Sequence, residues 1–365
     1  MGGAKICEEP FRVFFPLAVL ATVGGVALWP LFHFELIAFY PNTAHARVMT
    51  VGLAGFLIGF LGTAFPRLVE ASALRFGEVG LLLLLWLVAL GFHLVNRTPL
   101  GDGFFAATLL VFVACLAGRW ICCAKDMPPP GGPVALLGLV SGGLASAAMS
   151  WRYGLWMSPA WYGFAKLALY QGMPLLPLLG VGPYLLPRLF GHPTRHRLED
   201  SRTPPPGWWP RFVVCAACGA AVLVSFWIEA VGWPRAGMVL RATAVLVFLV
   251  LETPVFRRAR ELTTPGTVVR WSVGAIVLGL AWSAFDQPRR VGILHLFFVT
   301  GIGMVMLGVA ARVILGHAGR HDLLSRSMIW LRVMIGLLVL TAATRMSAEF
   351  LPRIRASHLD YAALM

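Results

Sequence analysis

From Phe11 onward the chain repeats one pattern, an apolar run of about 18 to 25 residues followed by a short polar loop. As an α-helix, a run of that length spans a hydrocarbon core roughly 30 Å thick, at about 1.5 Å per residue. Strict alternation over stretches of about ten residues, the mark of a membrane β-barrel, does not occur. Helices remain, because each satisfies its own backbone hydrogen bonds in lipid. Composition agrees: of 365 residues 58% are hydrophobic and 13% charged, against roughly 25% charged in a soluble domain. The expected fold class is all-α, a polytopic transmembrane bundle of about 11–12 helices in a lipid bilayer.

Helices are expected near 11–34, 46–66, 78–95, 103–123, 133–150 and 161–187, then near 211–232, 238–256, 268–285, 292–315 and 327–344. The segment 161–187 contains Pro174, Pro177, Pro183 and Pro187, so it reads either as one kinked helix or as two short pieces. A polar stretch, 188–210, carries Arg188, Arg195, Arg197 and Arg202 and the run Pro204-Pro205-Pro206. It divides a single integral membrane domain into two helical halves, 1–187 and 211–350. Gly55 and Gly59 have the spacing of close helix packing. The run from Phe11 shows no small-residue cleavage site and exceeds a signal-peptide core, so it reads as a retained helix. Most of the six cysteines lie within apolar runs and imply no disulfide framework.

The formal net charge is +14. Its arginines sit in short loops between apolar runs, as orientation signals do, and no nucleic-acid partner is expected. Loops after even-numbered helices are the richer, with Arg67, Arg75, Arg119, Arg195, Arg197, Arg257, Arg258, Arg260, Arg270, Arg320 and Arg326 among others. Odd loops hold fewer, including Arg97, Arg152, Arg235, Arg289 and Arg290. The positive-inside rule then puts the even loops and the N-terminus on the cytoplasmic side.

Nine histidines fall mainly at helix ends. His33, His45, His93 and His295 group on the outer side; His192, His196, His317 and His321 group on the cytoplasmic side. Neutral imidazole is the usual ligand of haem iron and suits copper. An interfacial histidine also serves simply as a hydrogen-bonding partner for headgroups or water.

Two of these histidines open distinctive runs. One runs His45-Ala46-Arg47-Val48-Met49, with Gly52, Gly55 and Gly59 following. The other begins His295-Leu296-Phe297-Phe298 and closes on Gly316-His317-Ala318-Gly319-Arg320. Together with Pro10-Phe11-Arg12-Val13-Phe14-Phe15, they resemble the NnrS family of bacterial inner-membrane proteins, described as binding haem and copper and linked to the nitric oxide response. The resemblance implies haem and copper as cofactors, nitric oxide as a small-molecule partner and the inner membrane as the location. His45 and His295 become metal-ligand candidates that can serve one site. His317, with Arg312 and Arg320 as partners for propionate or phosphate, joins the cofactor-binding candidates. The family's first motif, His-x-His-Glu-Met, is altered here: Arg47 replaces the second histidine and Val48 the glutamate. Arginine cannot become a ligand by losing its proton.

Other residues within apolar runs are Lys166, Gln171 and Glu229, which would form the polar path of a transporter or make interhelical hydrogen bonds. Cys215-x-x-Cys218 reads as packing or as a redox or metal pair, and Met49, Met304 and Met306 as filler or soft copper ligands. No Ser-His-Asp signature, nucleotide loop or usefully spaced carboxylate pair points to a conventional enzyme. The alternatives to a haem and copper protein are a metal-free scaffold of the same fold and a small-molecule transporter.

Overall fold

The computed structural model describes residues 3–151, 155–194, 196, 201–258, 263–325 and 327–364. Arg152, Arg195, Arg197, Arg260 and Arg326, counted above among the loop charges, lie outside the described residues. Among the described residues there is no strand, and eleven helices are long and apolar enough to cross a membrane. The chain is a multi-pass membrane protein.

After a short helix α1 (Gly3–Glu8) come α2 (Phe11–His33), α3 (Asn42–Leu68), α4 (Phe76–Leu94) and α5 (Thr98–Gly118). A π-helical turn, Arg119–Cys123, ends the α5 span, and α6 (Gly132–Ser150) follows. The segment with four prolines is continuous: α7 (Pro159–Leu167), a π-helical stretch Ala168–Gly172 and α8 (Met173–Leu189). Pro174 has no N–H to return to the carbonyl of Tyr170, and the wider turn lies over that missing bond.

The remaining helices are α9 (Trp208–Ala230), α10 (Pro234–Glu252) and α11 (Thr264–Phe285). The span Arg290–His317 consists of α12 (Arg290–His295), a π-helical stretch Leu296–Gly303 and α13 (Met304–His317). Then come α14 (His321–Ser325), α15 (Ile329–Phe350) and α16 (Arg355–Leu364).

Two compact units result, one of Met1–Gly182 with His196–Gly219 and the other of Pro183–Arg195 with Ala220–Met365. The divisions fall inside α8, at Arg195/His196 within the polar stretch 188–210, and inside α9. Within the first unit α3 is the central helix, with 83% of its most apolar window buried against 28% for α4. Gly59 lets α2 lie directly on it, since a Cβ there would meet Phe11 Cα and the Phe15 ring at 3.0 Å. Trp86 of α4 is fully buried and donates from Nε1 to the Val51 carbonyl of α3 at 2.9 Å. The described part of the polar stretch is tied down as well: Ser201 N donates to Asp126 Oδ1 at 3.0 Å and Trp208 Nε1 to the Pro128 carbonyl at 2.8 Å.

Exposed apolar side chains mark the surface that meets lipid, among them Leu84 on α4 and Val333 and Leu340 on α15. Several exposed tryptophans stand at helix ends, Trp151 after α6, Trp161 at the start of α7, Trp233 before α10 and Trp330 at the start of α15. Indole rings favour that depth because one edge is apolar and the other donates a hydrogen bond.

The second unit is pinned by an internal charge cluster. Arg241 of α10 is fully buried, with NH2 2.8 Å from Glu229 Oε2, Nε 3.1 Å from Ser225 Oγ, and its Cζ 4.4 Å from the Phe226 ring centroid. Arg290 adds a second contact to Glu229 at 3.4 Å. Breaking one side of such a pair strands a charge in a low-dielectric interior, at a cost of about 3–5 kcal/mol. Arg241→Ala is therefore expected to lower the denaturant midpoint of the detergent-purified protein strongly. The Arg241→Ala/Glu229→Ala double variant should lose clearly less than the sum of the two single variants.

Candidate functional site

The first histidine run opens α3, and helix geometry separates its members. Residues two apart on an α-helix are rotated by about 200°, so His45 and Arg47 face nearly opposite ways. His45 turns toward α2: its Nδ1 lies 2.9 Å from the Gly25 carbonyl and its ring meets Trp29 edge-on, centroids 5.8 Å apart. A carbonyl accepts only, so Nδ1 carries the proton and the lone pair of the neutral ring is on Nε2, the atom a metal would use. Val48, one turn on, also faces α2 and is fully buried in an apolar cluster with Leu28 and Ala44. Where the motif calls for a glutamate, the neighbourhood of His45 thus has packed hydrocarbon.

Arg47 turns the other way, into a pocket walled by α4, α5, α6 and the π-helical stretch before α8. Its Nε lies 2.7 Å and its NH2 3.0 Å from the two carboxylate oxygens of Asp102. NH2 also lies 3.2 Å from Met149 Sδ, and Cζ stands 5.1 Å from the Tyr170 ring centroid. His93 is fully buried beside them, with Nε2 3.8 Å from Asp102 Oδ1. Ser146 Oγ donates to the Asp102 backbone carbonyl at 2.9 Å. Gly101 gives the imidazole its space, because a Cβ there would stand 2.6 Å from ring atoms Cε1 and Nδ1.

Sequence reasoning singled out Arg47 as a lost ligand and His93 as a helix end, and it passed over Asp102. The signal was available. Asp102 borders the apolar run 103–123, and an arginine carried into the membrane needs a carboxylate nearby.

In the second unit His295 and His317 are half-buried on the single span Arg290–His317. Each has Nδ1 against the carbonyl four residues back, His295 to Val291 at 2.8 Å and His317 to Val313 at 2.9 Å. Their lone pairs are likewise on Nε2. About 33 Å of helix separates the two rings at 1.5 Å per residue, so no single metal takes both. Arg312 is half-buried on α13. Arg320 is exposed and paired with Asp322 at 3.1 and 3.3 Å, a contact that raises its already high pKa and keeps it a permanent cation.

The lesser candidates resolve unevenly. Lys166 is exposed on α7 rather than lining an interior path, and Glu229 belongs to the Arg241 cluster. Gln171 is buried at the π-helical stretch. Cys215 and Cys218 are buried and form no disulfide. Met304 is buried, and Met49 and Met306 are half-buried. Among the described residues no three His, Cys, Asp or Glu side chains form a group that could hold a metal ion.

A family model described as NnrS, NnrS protein, matches residues 5–365. The chain belongs to the NnrS family. The match runs through the middle of the chain, where the sequence by itself offered only hydropathy. No curated protein matches this chain. For an NnrS-family member, the replacement at Arg47 leaves the contacts of His45 in place, because the two positions serve different faces of α3.

Glycine substitutions test the Arg47 pocket. Gly101→Ala pushes a methyl into the His93 ring and is expected to destabilise by about 1–3 kcal/mol. Gly91→Ala, on the helix that carries His93, meets no atom within 4 Å and is expected to be neutral or stabilising by about 0.5–1 kcal/mol. The denaturant midpoint should fall for Gly101→Ala and hold or rise for Gly91→Ala.

Proposed function

We propose that this NnrS-family chain acts in the nitric oxide response as a haem-binding protein of the bacterial inner membrane, with His45 and His295 as ligand histidines. The observation that carries the reading is the state of these rings, each with Nδ1 bonded to a backbone carbonyl and its lone pair on Nε2. A carbonyl partner of this kind fixes the tautomer and the orientation of a metal-bound imidazole.

The donor set fits haem better than a copper centre built from protein ligands alone. A porphyrin supplies four nitrogens, so the protein need contribute only an axial histidine. Copper held by protein alone needs a convergent ligand group, and the described residues form none from His, Cys, Asp and Glu. Bound haem would supply an iron centre able to take a small diatomic molecule. The chain's part is to hold the imidazoles, with the Trp29 ring against that of His45, and to leave access through lipid, which dissolves nitric oxide readily. His317 is assigned to a separate centre near the other end of its helix, with Arg312 and Arg320 as counter-charges for propionates. The N-terminus and the arginine-rich loops are assigned to the cytoplasmic side.

A metal-free member of the same fold is the second reading. The replacement of two motif positions by Arg47 and Val48 favours it. A transporter is less well supported, since Lys166 is exposed and Glu229 is neutralised by Arg241 and Arg290.

An optical spectrum and iron analysis separate the readings. Wild-type protein expressed with ample haem should show a Soret band that weakens in both His45→Ala and His295→Ala and persists in His358→Ala. A colourless wild type would leave the metal-free reading. Loss in only one of the two variants would assign haem binding to that histidine.

A further inference from the structure

We propose that the Arg47 guanidinium is the resident cation of a donor pocket made by His93, Asp102 and Met149, and that this built-in charge excludes copper from a pocket whose side chains otherwise suit it. The inference does not depend on the haem reading, which concerns the opposite face of α3.

Three observations carry it. First, an imidazole, a carboxylate and a thioether from three different helices converge on one guanidinium. Asp102 oxygens are 2.7 and 3.0 Å from it and Met149 Sδ is 3.2 Å away, while His93 Nε2 stands 3.8 Å from Asp102 Oδ1. Imidazole with thioether is a soft-leaning donor pair that favours copper, and the carboxylate supplies the opposing charge.

Second, the pocket is not saturated in the way a purely structural ion pair is. Both ring nitrogens of His93, Asp102 Oδ1 and Arg47 Nε and NH1 are buried without a hydrogen-bond partner. Oδ1 and Nε face each other at ion-pair distance, and the imidazole has no hydrogen bond at all. Buried polar groups left in this condition call for an explanation. In the second unit Arg241 spends its donors on Ser225 and Glu229, and Arg290 supports the same carboxylate. That cluster needs nothing further, whereas the Arg47 cluster keeps donor atoms unused.

Third, the arginine balances the charge. Asp102 is 3% exposed, and a carboxylate so placed within an apolar helix needs a cation beside it. Arg47 provides one, permanently, because its guanidinium does not deprotonate. With that charge in place a metal ion would be repelled. With the side chain replaced by imidazole, the same donors become two histidines, a carboxylate and a thioether around a vacated cation position.

The test uses full-length protein purified in detergent, incubated with Cu(I), desalted and analysed for copper by atomic emission. Wild type and Arg47→Lys should hold no copper that depends on His93. Arg47→His should gain about one copper ion per chain over wild type, and Arg47→His/His93→Ala should lose that gain. Wild-type copper that disappears in His93→Ala would overturn the proposal. So would a folded Arg47→His variant that binds no more copper than wild type. If Arg47→His accumulates poorly, copper in the growth medium should restore its yield but not that of the double variant; yields unchanged by copper would contradict the assignment.

Discussion

A charge carried into a low-dielectric interior must find its opposite, and in this chain that requirement organises the helices. Each compact unit contains an arginine almost wholly withdrawn from solvent, Arg47 in one and Arg241 in the other. Each meets a carboxylate on a neighbouring helix and lies against an aromatic ring, Tyr170 or Phe226. Apolar packing against lipid offers little preference between one helix neighbour and another, since lipid tails are as apolar as leucine. The ion pairs supply that preference. Arg47 meets its opposite charge when α5 brings Asp102 to it, and Arg241 when α9 brings Glu229.

Helical rotation then gives the first histidine run its meaning. His45 and Arg47 are neighbours in sequence and strangers in space, one anchored to the Gly25 carbonyl and the other to Asp102. A change at position 47 therefore alters one pocket and spares the other. A family motif can be half replaced without every capacity attached to it being lost. The same separation puts an imidazole bonded to a backbone carbonyl on one face of α3 and a self-neutralised ion-pair cluster on the other.

Much of the fold was legible in the sequence because lipid is an undemanding solvent to read. Runs from 11–34 to 327–344 correspond to eleven helices, and the ends differ by a few residues, as at α3, which starts at Asn42 rather than near residue 46. The continuity of 159–189 was left open, since four prolines permit either a kink or a break. It is resolved by a π-helical stretch that absorbs the missing bond. The candidate site was less legible. His45, His295 and His317 stand out by their motifs, but Asp102 and His93 acquire a role only through contacts across 55 and 9 residues of sequence, with Arg47 and with Asp102 respectively. Periodicity within one helix carries no information about which neighbour that helix will meet. Lys166 is the converse case, a charge within an apolar run that the fold leaves exposed.

The dependence of the first unit on its internal ion pair is open to one direct measurement, a double-mutant cycle joining Arg47→Met and Asp102→Leu with unfolding free energy as the readout. The account predicts a coupling energy above about 1.5 kcal/mol, each single variant losing more than its share because it strands the partner's charge. A coupling near zero would contradict it, since the two side chains would then contribute independently and the pair could not be what selects the helix neighbours.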